Sequence, residues 1–163
     1  MNTYLKNRKG GLSLIEVVIG AGIIGASLVA IVGLYGGLTR MSYDNTARIQ
    51  AAMLAAEGIE IANLMRDNGW TSQIASLSNG TAYSFVWSNN TWRATTTPIV
   101  VDSKFYRTFV LSSVSRDASS NIVTSGGTND TGTRKIGVSV AWSDGKATTT
   151  KVMESYIFNA YNN

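Results

Sequence analysis

Gly10-Gly11-Leu12-Ser13-Leu14-Ile15-Glu16 sets one carboxylate inside an otherwise uncharged apolar run that extends over residues 12–38. A helix needs roughly 20 apolar residues to cross the hydrocarbon core of a bilayer, and this run exceeds that length. A cleaved secretory signal has a shorter apolar region, roughly 7 to 15 residues, that ends in small residues. Here the run continues through Val29, Ile31, Val32, Leu34 and Tyr35, so a membrane-spanning helix is expected. Lys6, Arg8 and Lys9 precede it, and Arg40 is the first charge beyond it. That Lys/Arg asymmetry predicts a cytoplasmic amino terminus, with the bulk of the chain outside. A carboxylate inserted into such a helix costs about 2.5 to 3.5 kcal/mol, so Glu16 calls for a partner or a shallow position.

The basic leader, the glycine, the hydrophobic residue after it and the glutamate at the fifth position together resemble the prepilin processing site of type IV pilins and pseudopilins. The residues that carry the resemblance are Lys6, Arg8, Lys9, Gly11, Leu12 and Glu16. A cut after Gly10 would put Ile15 at the fifth position and does not fit. The resemblance implies cleavage after Gly11 by a membrane-embedded prepilin peptidase, followed by N-methylation of the new terminal Leu12. It also implies that Glu16 pairs with the terminal amine of a neighbouring subunit and so sets the axial register of a filament. An isolated charge in an apolar core is strongly destabilising, so such a pair favours one register and penalises others.

Composition narrows the remaining classes. The formal charge is +4, but the leader holds three of the 14 Lys/Arg, leaving 11 against 10 Asp/Glu after cleavage. The basic balance is therefore mostly a topology signal. No Lys/Arg cluster follows residue 11, and a nucleic-acid partner is not expected. Cysteine and histidine are both absent, which excludes disulfides, thiol nucleophiles, cysteine–zinc sites and histidine bases. Asp102, Asp117, Asp130, Asp144 and Glu154 are scattered and do not form an obvious glycosidase pair. Neither an enzyme nor a cofactor is expected. Many pilins close a carboxy-terminal loop with a disulfide, and this chain departs from them there.

Four segments are expected: a leader over 1–11, a transmembrane and assembly helix over 12–38, an amphipathic helix over 39–68 and a β-rich head over 69–163. Leu38, Met41, Ile49, Ala52, Met53, Ala56, Ile59, Ile61, Leu64 and Met65 recur mostly at intervals of three and four. They predict one continuous helix from Leu12 to about Asp67, whose second half packs against the head. Asn68-Gly69 is a helix stop signal. Gly33 and Gly37 have the small-xxx-small spacing that permits close helix approach in lipid. Many members of the resembled family carry a proline at the place of Gly33, so Gly33, Gly36 and Gly37 are expected to supply either local flexibility or close packing.

Beyond Trp70 the pattern changes to Ser, Thr and Asn alternating with apolar residues. Strands are expected over 82–87, 92–101, 104–114, 134–142 and 147–158, in an antiparallel sheet on residues 40–67. The fold class is thus α+β. Ile136, Val138, Val140 and Trp142 alternate with small residues as a half-buried strand should, and Asp144-Gly145 predicts a hairpin to the last strand. The segment 117–133 reads as a surface loop or hairpin. Asp117, Asn121, Asn129 and Asp130 offer oxygens, but without the spacing of a calcium loop, and no metal is expected. The abundant aromatics, Trp70, Trp87, Trp92 and Trp142 among them, are expected mainly in the core.

The segment 55–70 and the later Val138-x-Val140-x-Trp142 strand look similar to minor pilins of the V type and pseudopilins of the I type. The expected function is therefore structural: a minor subunit of a type IV pilus or a type II secretion-like pseudopilus. Its implied partners are prepilin peptidase, other pilin or pseudopilin subunits, an inner-membrane assembly platform and, before assembly, membrane lipid. The implied location is the bacterial cytoplasmic membrane and then the fibre. The alternative is a single-pass membrane-anchored extracytoplasmic domain that binds carbohydrate or another surface ligand through exposed aromatics.

Overall fold

A computed structural model describes Gly11 and residues 13–143, 145 and 147–161. The chain divides into two units, residues 1–45 and 46–163. One helix, α1 (Leu14–Asn68), contributes to both. In the first unit its apolar side chains are open to the surroundings; Leu14 is 84% exposed and Leu34 68%. This helix is long and apolar enough, near its amino-terminal end, to cross a membrane. Ser27, a polar residue within the apolar run, donates its hydroxyl to the Ile23 carbonyl at 2.8 Å. The helix thus satisfies that hydroxyl internally, as a bilayer requires.

The helix ends where the Asn68-Gly69 signal predicts. Gly69 adopts φ 150°, its N–H donates to the Arg66 carbonyl at 3.2 Å, and a Cβ there would stand 2.7 Å from Ser72 Oγ. A short π-helical turn, Thr71–Ala75, follows before any strand. The sequence pattern does not reveal this turn, since one turn is too short to display a helical period. Trp70 and Ile74 are its buried anchors.

In the second unit, residues 46–68 of α1 pack against an antiparallel sheet of seven strands: β1 (Ala82–Ser88), β2 (Thr91–Thr95), β3 (Val100–Val101), β4 (Phe105–Arg116), β5 (Ile122–Val123), β6 (Thr128–Ser143) and β7 (Thr148–Phe158). The main order is β2-β1-β4-β6-β7, with β3 and β5 paired to β4. The expected α+β class is therefore what the chain adopts. Phe109 pairs with Val138 and Leu111 with Ile136, so the inward rows of β4 and β6 coincide. Phe85 stacks on Phe109 with ring centroids 4.5 Å apart.

Two expectations need correction. The strand expected over 92–101 is broken: β2 stops at Thr95, and only Val100–Val101 re-forms a strand, paired to β4. Pro98 lies in the gap and cannot donate to a ladder. The second correction concerns the buried face of α1. Its buried residues are Ala47, Ala51, Ala55, Gly58, Ile61, Ala62 and Met65. Ile49, Met53 and Leu64, expected to face the head, are more than half exposed, as are Leu38 and Met41 in the first unit. At Gly58 the approach of the sheet sets a steric limit. A Cβ added at Gly58 would stand 2.7 Å from Val138 Cγ1 and 3.2 Å from the Phe85 ring, so the sheet sits too close for a large side chain there.

Within the 117–133 segment, β5 folds back on the end of β4 as a short hairpin. β5 and the beginning of β6 both pair with the end of β4, and the β4–β6 register shifts between Ser113 and Val114. Asn89 and Asn90 both have positive φ, 51° and 60°, in the two-residue connection of β1 to β2. Asparagine tolerates that conformation, which matches the twist of a hairpin. The expected β6–β7 hairpin forms, Ser143 pairing with Thr148, while Asp144 lies outside the described residues.

Candidate functional site

The sequence motif around Gly11 and Glu16 maps onto the start of α1. Gly11 is exposed and lies outside the helix, as does Ser13; helical structure begins at Leu14, two residues later than expected. Leu12, the predicted methylated terminus, and the leader residues Lys6, Arg8 and Lys9 are outside the described residues. The Ser13 carbonyl accepts from the N–H groups of Glu16 and Val17 at 3.0 and 3.3 Å. In return, the Ser13 N–H donates to Glu16 Oε2 at 2.9 Å. Ser13-x-x-Glu16 is thus a helix-capping arrangement in which the glutamate satisfies an N–H that the helix leaves without a partner. The Ser-x-x-Glu spacing before an apolar run was present in the sequence and announces this cap, yet the expected start at Leu12 overlooks it.

The consequence for Glu16 is concrete. Glu16 lies in the first turn of the helix, an end whose dipole favours negative charge. Its carboxylate has a local partner in the Ser13 amide and remains exposed to the surroundings. Farther along, Gly33, Gly36 and Gly37 lie within unbroken helix, and nothing stands within 4 Å of a Cβ built on any of them. Their helix surface is open to a neighbour.

The head presents no comparable constellation among the described residues. No group of three or more Asp or Glu side chains stands close enough to hold a metal ion. Of the oxygens considered for calcium, those of the Asp117 and Asp130 carboxylates are engaged within the 117–133 segment and by Arg116. Asp117 Oδ1 accepts from the N–H groups of Ser119 and Asn121 at 2.9 and 2.8 Å, and its Oδ2 accepts from Asn121 Nδ2 at 3.2 Å. These bonds, those from Asn121 foremost, hold the Asp117 carboxyl below its usual pKa. Asp130 Oδ2 accepts from Arg116 Nε and Thr133 Oγ1, both at 2.7 Å, and Oδ1 accepts from the Gly132 N–H at 2.9 Å. The Arg116 bond is the chief reason its pKa is lowered.

Depressions among the described residues of the head include the following two. One, of about 230 Å³, lies among Arg48, Ile49, Ala52, Trp142 and Lys151; the other, of about 270 Å³, lies among Ser115, Val123, Lys135 and Tyr156. Neither contains a carboxylate in its lining. In the second, Lys135 Nζ pairs with Glu154 at 2.8 Å, which raises the lysine pKa.

The aromatic residues divide. Trp70, Phe85, Phe109 and Trp142 are buried, with Phe105 joining them. Trp87, Tyr106, Tyr156 and Phe158 are roughly half exposed, so the expectation of core packing holds for only part of the set. Trp87 and Trp92 face each other across the β1–β2 hairpin, ring centroids 5.4 Å apart and edge to face. Comparison with family models, curated proteins and solved structures returned no match.

Proposed function

We propose that this chain is a minor structural subunit of a type IV pilus or a type II secretion-like pseudopilus. The observation that carries the reading is the Gly11–Glu16 motif at the mouth of an apolar helix long enough to span a bilayer, followed by an antiparallel sheet. In this reading the helix holds the chain in the cytoplasmic membrane with the amino terminus inside. Prepilin peptidase cuts after Gly11, Leu12 is N-methylated, and an inner-membrane assembly platform moves the subunit into a filament of related subunits. Glu16 then meets a terminal amine and specifies the register, because a displaced subunit would leave both charges without an opposite in an apolar core.

Mass spectrometry of the mature amino terminus tests this directly. The expected product begins at methylated Leu12. An intact Met1 or a cut near residue 38 would overturn the proposal.

One observation favours a second reading, a membrane-anchored binding domain: Trp87 is 56% exposed although it is paired with Trp92. Exposed aromatic rings suit sugar faces and other apolar ligand surfaces. The same measurement separates the readings, since a binding domain needs only the anchor and no processing at Gly11.

A further inference from the structure

We propose that the depression between α1 and the start of β7 binds a phosphate group, of a soluble ester or of a phospholipid headgroup, between Arg48 and Lys151. Its volume is about 230 Å³, and its lining includes Arg48, Ile49, Trp142, Thr149, Thr150 and Lys151. Arg48 and Ile49 are neighbours on α1, and the β6–β7 register brings the other residues to them: Trp142 pairs with Thr149 and Val140 with Lys151. Trp142 is buried, while Arg48 and Lys151 are exposed. Two cations thus face one small depression whose lining contains no carboxylate. Elsewhere in the head Arg107, Arg116 and Lys135 each have a carboxylate partner. Among the described residues Arg48 and Lys151 have none.

The side chains specify the chemistry of the ligand. Like charges brought together raise the local potential, and an anion between them relieves it. The guanidinium and the ammonium only donate hydrogen bonds, and the two threonine hydroxyls can donate as well. A phosphate offers several acceptor oxygens, two of which a guanidinium meets with parallel bonds. A carboxylate has only two oxygens and leaves more of these donors to water. Sites that enclose a whole ligand measure roughly 300 to 1,000 Å³, so this smaller depression takes one charged group and leaves the rest of the molecule outside. Ile49 and Trp142 give the organic part of an ester an apolar wall. Because both cations are exposed, binding is modest and sensitive to salt. The site is independent of processing at Gly11.

Full-length chain in dodecyl maltoside micelles, which contain no phosphate, tests the site by titration with glycerol 3-phosphate and, separately, with dihexanoylphosphatidylglycerol. The indole N–H of Trp142, followed by NMR, is expected to shift saturably with at least one of them. Arg48→Gln and Lys151→Gln should each weaken binding about fivefold, the loss expected for one exposed ion pair. Arg93→Gln, which removes a cation from β2 at the opposite edge of the sheet, should leave the affinity unchanged. Equal affinity for the two probes assigns a soluble phosphate ester, and tighter binding of the lipid assigns a headgroup. Absence of a saturable shift with both probes, or equal weakening by Arg93→Gln, would overturn the proposal. So would a parent affinity that does not change with ionic strength, a readout that needs no variant. Acetate binding as tightly as glycerol 3-phosphate at matched ionic strength would also overturn it, and would instead assign the depression to an acidic side chain of a neighbouring protein.

Discussion

Arg107 on β4 lies almost fully buried against α1, where its Nη1 donates to Glu57 Oε2 at 2.8 Å and to the Leu54 carbonyl at 3.2 Å. Its guanidinium also sits 5.5 Å from the centroid of the Phe85 ring. The burial is one-sided: the arginine side chain is 6% exposed and the glutamate 51%. Glu57 is therefore a surface residue that neutralises a core charge, and it ties residues 46–68 of the helix to the middle of the sheet.

Removing the glutamate should hurt more than replacing the pair. Glu57→Ala leaves a buried guanidinium with one carbonyl partner and should cost about 1 to 2 kcal/mol, a value discounted for the solvent at Glu57. The double variant Arg107→Met/Glu57→Leu, which buries no charge, should be at least as stable as Glu57→Ala. Denaturant unfolding of the full chain in micelles measures both, and an unchanged midpoint for Glu57→Ala would contradict the argument.

Gly58 marks the closest approach of helix and sheet. Gly58→Ala should destabilise the head by about 1 to 3 kcal/mol through overpacking against Val138, even though alanine is the better helix former. Val138→Ala added to that background should recover part of the loss, since the two side chains would occupy the same space. Strictly additive effects in thermal unfolding would show that the contact is not the cause.

The Arg116–Asp130 pair should make the 117–133 segment sensitive to acid. The folded pKa of Asp130 lies below its ordinary value of 3.8, chiefly through the Arg116 bond. A depressed carboxylate contributes stability that is complete above its unfolded pKa and is lost as pH falls through the folded one. Amide protection near Asp130, taken relative to the intrinsic exchange rate, should therefore fall only below about pH 4. Asp130→Asn should exchange faster at neutral pH and lose most of that acid dependence. An acid response identical in parent and variant would assign it elsewhere, Asp117 being the first candidate because its pKa is lowered as well.

In the proposed filament, Gly33, Gly36 and Gly37 should be the softest part of the helix. Each carries a helix cost of about 1 kcal/mol relative to alanine. Hydrogen exchange in filaments should be faster over residues 30–38 than in the flanking turns, and the triple alanine variant should slow it. Finding this stretch the most protected part of α1 would instead favour close packing of neighbouring helices there.

Much of this molecule was legible from local signals, and its exceptions have identifiable causes. The helix stop at Asn68-Gly69 and the alternation of Ile136, Val138, Val140 and Trp142 describe properties of a few adjacent residues, and both appear where expected. The Ser13–Glu16 cap is equally local, a three-residue spacing ahead of an apolar run. The break at Pro98 was also readable, since a residue without an N–H cannot occupy the middle of a ladder.

The sequence by itself determined an apolar helix of membrane-spanning length followed by an α+β head, because length, periodicity and turn chemistry are properties of neighbours along the chain. Only the tertiary structure decided which face of the helix is buried. Hydropathy favours Ile49, Met53 and Leu64, but the sheet selects the face of Ala47, Ala51, Ala55, Gly58, Ile61 and Met65, and at Gly58 the approach of Phe85 and Val138 leaves no room for a larger side chain. Tertiary structure likewise set β4 between β1 and β6, and gave Arg107 a partner 50 residues away in Glu57. Those outcomes depend on distances between segments remote in sequence, where steric fit and charge compensation outweigh the local preference of either segment.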